Sequence, residues 1–461
     1  PPLGTLIGAS ILREKAFDVR VFDAMLAHGL EEFRMLLAEH QPAIVGIFED
    51  GFNFLTKMCT LRMREDALAM IRIAKETGAR VALNGPDATD HPEMYFEAGA
   101  DAILTGEIEE TAAELFDAWE RDGEAADLEG IRGLIRWIGN EAVRTAPRMF
   151  VEDLDSLPFP AWDLVDTDRY REVWSGAHGR LSLNMNTTRG CPFRCNWCAK
   201  PLYGTRYKQR SPENVAAEMR ELKRQAGPGH IWFADDIFGL SPNWIESFAI
   251  AVETADCRIP FTIQSRVDLM TESAVAALAH AGAEEVWMGV ESGSQKILDA
   301  MDKGTTIEQV RLATRRLKKH GIRAAWFLQL GYTGEDWEEI LLTRELVRKE
   351  QPDDVGVSVS YPLPGTLFYE RVQQQLGEQQ NWEDSDDLAM MFAGAFQGPF
   401  YRLVRDLLHL EAETKGRQQL GLDHRWQELA KRQDFFRAKR PVSLPPALSS
   451  GPSALKSLPS L

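Results

Sequence analysis

Cysteine is scarce, five in 461 residues, which excludes a disulfide-stapled scaffold and points to a reducing, cytoplasmic compartment. Long apolar runs are missing: nothing approaches the roughly 18 consecutive apolar residues of a membrane span. Positive charge is short, with 52 Lys and Arg against 70 Asp and Glu, a formal charge of −18. That balance makes nucleic acid an unlikely partner and favours a small-molecule substrate. A charged segment leading into an apolar core is also absent from the start, so no signal peptide is expected. The opening Pro1-Pro2-Leu3-Gly4 reads instead as a chain entered just after a first strand, which is expected to be missing. Hydrophobic residues at 44% and charged residues at 26% describe an ordinary globular chain.

Two βα rhythms run along the chain. In the first, Val19–Phe22, Ala43–Phe48, Arg80–Asn84 and Ala102–Thr105 read as short strands with amphipathic helices between them. Ligands of such sheets bind beyond the carboxyl ends of the strands. Those ends carry Asp50 and Asn53, then Asn84-Gly85, then Thr105-Gly106-Glu107. Gly139-Asn140 between two strand-like runs predicts a hairpin, and the proline-rich stretch from Leu157 to Trp162 predicts a linker. The second rhythm supplies six strands: Leu181–Thr187, Ile231–Ala234, Phe261–Ser265, Val286–Val290, Arg323–Leu330 and Val355–Tyr361. Ser211-Pro212, Ser241-Pro242 and the capping box Thr306–Gln309 mark helix starts between them. Six parallel strands make a partial barrel with its chemistry at the strands' C-terminal ends.

At the end of the first barrel strand stand Cys191, Cys195 and Cys198, spaced C-x3-C-x2-C. Structural zinc wants four ligands, so zinc requires a recruited residue such as His178. An iron–sulfur cubane held by three thiolates leaves one iron open to a small molecule. Cys59 and Cys257 stand apart and read as inert buried thiols.

The cysteine segment, with Trp197 before the third cysteine, closely resembles the radical S-adenosylmethionine (SAM) enzymes. That resemblance implies a [4Fe–4S] cluster on the three thiolates, SAM chelated by the open iron, and cleavage of SAM to a 5′-deoxyadenosyl radical. It also implies an external electron donor of the flavodoxin or ferredoxin type. Trp197 then lies near the adenine. Asp235 and Asp236, at the second strand's end, stand where the family has an acid facing the SAM ammonium, though the family's paired glycines are replaced; a solvated turn is the competing reading. Arg266 could pair with the SAM carboxylate or simply form a salt bridge. Glu291, Ser292 and Gln329 match SAM-contacting strand ends, and Ser294 is expected to cap the following helix. Gly331-Tyr332-Thr333-Gly334-Glu335 stands where relatives commonly have Gly-x-Pro-Gly-Glu. Tyr361-Pro362 to Thr366, then Asn381-Trp382 and Ser385 to Leu388, resemble the cobalamin-domain branch grouped with the anaerobic magnesium-protoporphyrin IX monomethyl ester cyclase.

In that branch the N-terminal domain binds cobalamin, which assigns Asp50, Asn53, Asn84, Gly85, Thr105, Gly106 and Glu107 to that cofactor. The D-x-H-x-x-G pattern that supplies an axial histidine in other cobalamin proteins is absent; His28, His40 and His91 lack that context. This fits both a weakly ligated cobalt and a domain that has lost cobalamin. With only two cysteines outside the cluster, the three-cysteine second cluster of methylthio-transferring relatives is excluded.

The expected fold is α/β: a doubly wound, flavodoxin-like domain of the cobalamin-binding type over 1–125, hairpin and linker over 126–175, a partial (β/α)6 barrel over 176–378, C-terminal helices over 379–439 and a disordered tail over 440–461. The expected activity is radical SAM chemistry, as cobalamin-assisted methylation of an unactivated carbon in a small molecule. A cyclase-like oxidation and a non-catalytic cobalamin or iron–sulfur sensor are the alternatives.

Overall fold

The structure, a computed structural model, describes residues 1–49, 61–198, 206–377, 390–414 and 419–438. Asp50, Asn53, Cys59 and the segments at Asn381 and Ser385 lie outside the described residues.

The first sheet runs β1 (Ile44–Phe48), β2 (Arg80–Asn84), β3 (Ala102–Leu104), β4 (Leu134–Ile138) and β5 (Glu141–Arg144). The first three strands are parallel and the last two antiparallel. Ile138 faces Glu141, so Gly139-Asn140 is a two-residue hairpin turn, and Gly139 takes φ +65°. Such a turn needs the left-handed region that glycine enters without penalty. The hairpin, expected within a connecting segment, extends the first sheet through β4 on β3. Val19–Phe22 does not form the expected strand. Its side chains pack, Phe22 on Phe33 at 5.1 Å, but no strand lies alongside to pair its backbone among the described residues.

Six parallel strands form the second sheet: β6 (Ser182–Met185), β9 (His230–Phe233), β10 (Phe261–Ser265), β11 (Ala283–Glu291), β12 (Arg323–Leu330) and β13 (Asp354–Val359), with β6 and β13 at its edges. Between β6 and β9, a two-rung antiparallel ladder of β7 (Thr188–Arg189) and β8 (Lys208–Gln209) brackets the cysteine segment.

Helices cover one face of this sheet. Trp326, fully buried on β12, donates its indole N–H to Thr314 of helix Ile307–Lys319 at 3.1 Å, so the even-numbered side chains of β12 face the helical layer. Helix starts follow the local signals: Ser211 accepts from Asn214, and Thr306 and Gln309 close a capping box. Helix Leu3–Glu14 joins the two sheets, because Leu3, Leu6 and Ile7 share one apolar cluster with the barrel residues Leu183, Met185 and Phe233.

Candidate active site at the carboxyl ends of the barrel strands

Cys191, Cys195 and Cys198 are half-buried on the segment between β7 and β8, and none forms a disulfide. Asn196, between the second and third, anchors it. Its amide donates to the Ala300 carbonyl and to Asp302, both at 2.8 Å, and accepts from the Tyr332 hydroxyl at 2.6 Å. Its backbone N–H reaches the Met301 carbonyl at 3.1 Å. One side chain thereby ties the cysteine loop to the end of helix Gln295–Ala300 and to the turn after β12.

Two cations face Cys195. The Arg266 guanidinium lies 3.6 Å over the Phe193 ring, with Nη1 4.0 Å from the Cys195 sulfur. It also pairs with Asp268 at 2.9 Å, so the salt bridge and the placement at the site hold together. Lys303 is buried, with its ammonium 2.6 Å from Glu291. Burial pulls the Lys303 pKa down, but Glu291 and Cys195 outweigh that and hold it above the ordinary lysine value. Lys303 was not picked out in the sequence; its signal is the Asp302-Lys303-Gly304 turn, with Asp302 at φ +51° and Gly304 at φ +69°. Glu291 sits at a register shift on β11 with φ +64°, a strained conformation for a side-chain-bearing residue.

Asp235 performs a different task from the direct SAM contact expected. Its carboxylate accepts from the backbone N–H groups of Thr187 and Thr188, at 2.7 and 2.6 Å, and from both hydroxyls, at 3.0 and 2.8 Å. Those four bonds hold the turn that delivers the cysteine segment. Burial lifts its pKa to about 6 against these bonds. Asp236, beside it, is exposed. Ser292, fully buried, accepts from the Ser294 N–H at 3.1 Å, so it shapes the start of helix Gln295–Ala300; Ser294 makes no capping bond through its side chain.

Several polar atoms at the mouth are buried without a partner: Trp197 Nε1, Gln329 Oε1, Thr333 Oγ1 and Ser360 Oγ. Orphaned groups of this kind carry a cost unless a bound molecule satisfies them. Glu335 is buried at the end of the β12 turn, where burial lifts its pKa to about 8 against the bond from the Gly331 N–H.

Among the described residues no three His, Cys, Asp or Glu side chains converge on a single ion. His178 stands at the end of its own helix against Trp174. Nothing among the described residues assembles the four-ligand set of a mononuclear zinc. A cubane, which takes each thiolate on a different iron, suits three thiols on one bracketed loop with cations beside them.

At the first sheet's strand ends the expected residues divide. Asn84 donates across to the Leu104 carbonyl at 2.8 Å, and Glu107 pairs with Arg189 at 3.1 Å, so both have partners within the chain. Thr105 and Gly106 stay half-exposed, with open space where a Cβ on Gly106 would stand. Gly85 leaves room for Glu49, whose carboxylate would lie 2.4 Å from a Cβ there. Glu49 is a residue the sequence reading missed. Burial and Asp87 push its pKa up to about 8, while Asp87 is held down by Arg64 at 2.6 Å and by Tyr95.

A six-stranded parallel half barrel whose first strand ends in a three-thiol loop defines a barrel enzyme built around an iron–sulfur cluster. The comparisons agree. The family model described as the radical SAM superfamily matches residues 185–347. An uncharacterised methyltransferase of Pyrococcus horikoshii is 31% identical over 377 residues, covering 80% of this chain and 78% of that protein. The chain belongs to the radical SAM superfamily and is an enzyme. The anaerobic magnesium-protoporphyrin IX monomethyl ester cyclase of Cereibacter sphaeroides is 27% identical over 385 residues, which is 82% of this chain and 61% of the cyclase. The fold matches the radical SAM methyltransferase TsrM of Kitasatospora setae, solved with cobalamin and a [4Fe–4S] cluster, with a TM-score of 0.67 at 21% identity, over 83% of this chain and 73% of that one.

Proposed function

We propose that the protein is a radical SAM methyltransferase acting on an unactivated carbon of a small molecule, with cobalamin at the first sheet. The arrangement at Cys195 carries the reading: three thiols on a loop anchored by Asp235 and Asn196, with Arg266 and Lys303 beside the middle sulfur. Cys191, Cys195 and Cys198 hold the [4Fe–4S] cluster, which when bound supplies the electron for cleaving SAM to a 5′-deoxyadenosyl radical. Arg266 and Lys303 place positive charge where an electron arrives. Arg266 orients the SAM carboxylate, Glu291 holds Lys303, and Gln329 and Trp197 offer unpaired polar atoms to the bound nucleoside. The electron comes from an external flavodoxin- or ferredoxin-type donor.

Three parallel strands in chain order and the open strand end at Thr105 and Gly106 support reading the first sheet as part of a cobalamin-type domain. Methyl transfer is favoured over cyclase-like oxidation by the names of the Pyrococcus relative and of TsrM, while the likeness to the cyclase keeps oxidation as the second reading.

The test is anaerobic reconstitution with iron and sulfide, then reduction with SAM present. 5′-Deoxyadenosine is expected from the native protein and none from Cys195→Ala. Its absence under every reductant would overturn the proposal and favour a sensor. A cobalamin absorption spectrum on the same preparation tests the first sheet separately.

A further inference from the structure

The two faces of the barrel sheet differ in kind. The register places Asn184, Trp232, Gln264, Trp287, Phe327 and Gly356 on the face opposite to the helix-covered one. All six are half-buried, whereas their neighbours on the strands are mostly fully buried. Trp232, Trp287 and Phe327 belong to none of the packed apolar clusters. Trp287 and Phe327 stack on each other at 4.8 Å, 29° from parallel. A Cβ on Gly356 would come within 3.2 Å of Trp287 and 3.4 Å of Phe327, so the glycine lets both rings lie low across β13.

Polar groups border this aromatic floor. Gln329 lies two residues beyond Phe327, on the same face, and Ser360 stands just past the end of β13. Both are more than nine-tenths buried, with Gln329 Oε1 and Ser360 Oγ unpaired. The charges at the two ends are matched internally, Arg323 with Glu285 at 3.0 Å and Lys303 with Glu291 at 2.6 Å. A zwitterionic amino acid or a nucleotide would need counter-charges, and among the described residues those on this face are already matched.

We infer that the inner face of the half barrel binds the substrate as a rigid, flat, largely apolar ring system with hydrogen-bonding groups at its rim, stacked over Trp287 and Phe327. The inference rests on reading the strand ends as the reaction site. Stacking holds the ring plane, and Ser360 engages the rim on the side nearest Cys195.

The probe is pyrenebutyrate, a flat four-ring hydrocarbon with one carboxylate, dialysed to equilibrium against the anaerobically reconstituted protein. Dodecanoate, of equal charge but flexible, is the comparison. Saturable binding of pyrenebutyrate is expected, with dodecanoate about tenfold weaker, and a loss of about tenfold in each of Trp287→Leu and Phe327→Leu. Equal binding of the two probes, no saturable site, or unchanged affinity in both folded variants would overturn the inference. If the leucine variants fail to fold, Gly356→Leu decides, because a long side chain there must push Trp287 aside or cover the ring face: weaker pyrenebutyrate binding supports the inference and unchanged binding sinks it. The titration uses neither reductant nor added SAM. Its failure is therefore distinct from a failure to form 5′-deoxyadenosine.

Discussion

Lys303 and Glu291 form a buried ion pair beside Cys195. Each charge compensates the other, so removing one exposes the cluster site to the field of the survivor. Lys303→Met leaves an anion and is expected to make the cluster's midpoint potential more negative. Glu291→Gln leaves a cation and is expected to make it more positive. Redox titration followed by electron paramagnetic resonance reads both signs, and shifts in the same direction would refute an electrostatic role. At this scale the sequence was legible where chemistry is written in spacing, as with Cys191, Cys195 and Cys198. It was illegible where a role depends on a partner far along the chain. Asp235 looked like a ligand contact because an acid at a strand end is generic; only the structure brings Thr187 and Thr188 to it.

At the scale of elements, the turn between β6 and β7 depends on Asp235. Asp235→Ala would leave two buried backbone N–H groups unsatisfied, at about 1–3 kcal/mol each. A lowered thermal midpoint and poor cluster incorporation are expected. Asp235→Asn retains one oxygen for three of the bonds, and its amide can donate to the Thr187 hydroxyl, so it should fold and bind SAM within about twofold of the native protein, a factor of about 0.4 kcal/mol. A loss of tenfold or more in SAM affinity by equilibrium dialysis would instead establish the direct contact expected from the sequence. All six barrel strands were located within a few residues, because short apolar runs bounded by turn and helix-start signals mark buried parallel strands. Val19–Phe22 has the same local pattern without a paired neighbour, and a strand is a property of two segments. The hairpin at Gly139 was visible from its turn, whereas its docking on β3 was not.

On the scale of the whole molecule, the two sheets meet at Arg189, two residues before Cys191. Its guanidinium is buried between Glu107 and Glu109 at the far end of β3. Burial pushes the Glu107 pKa up and Arg189 opposes it. Arg189→Met would strand two buried carboxyl groups at a cost of about 3–5 kcal/mol. A lower unfolding midpoint is expected in chemical denaturation, with partial recovery when Glu107→Gln and Glu109→Gln are added. No recovery would mean that Arg189 acts through packing alone. The junction joins the proposed cobalamin end to the cysteine loop through one side chain, and of its two acids the sequence singled out only Glu107, as a cobalamin contact.

The barrel sheet stops at six strands, and its edges β6 and β13 pair with no further strand among the described residues. A closed barrel has its radius set by strand number and stagger, so widening it breaks ladder hydrogen bonds. Here the distance between the two edges is not set by any shared ladder. The width of the cleft therefore rests on side-chain ties across its mouth, such as Asn196, which runs from the cysteine loop to Ala300, Asp302 and Tyr332.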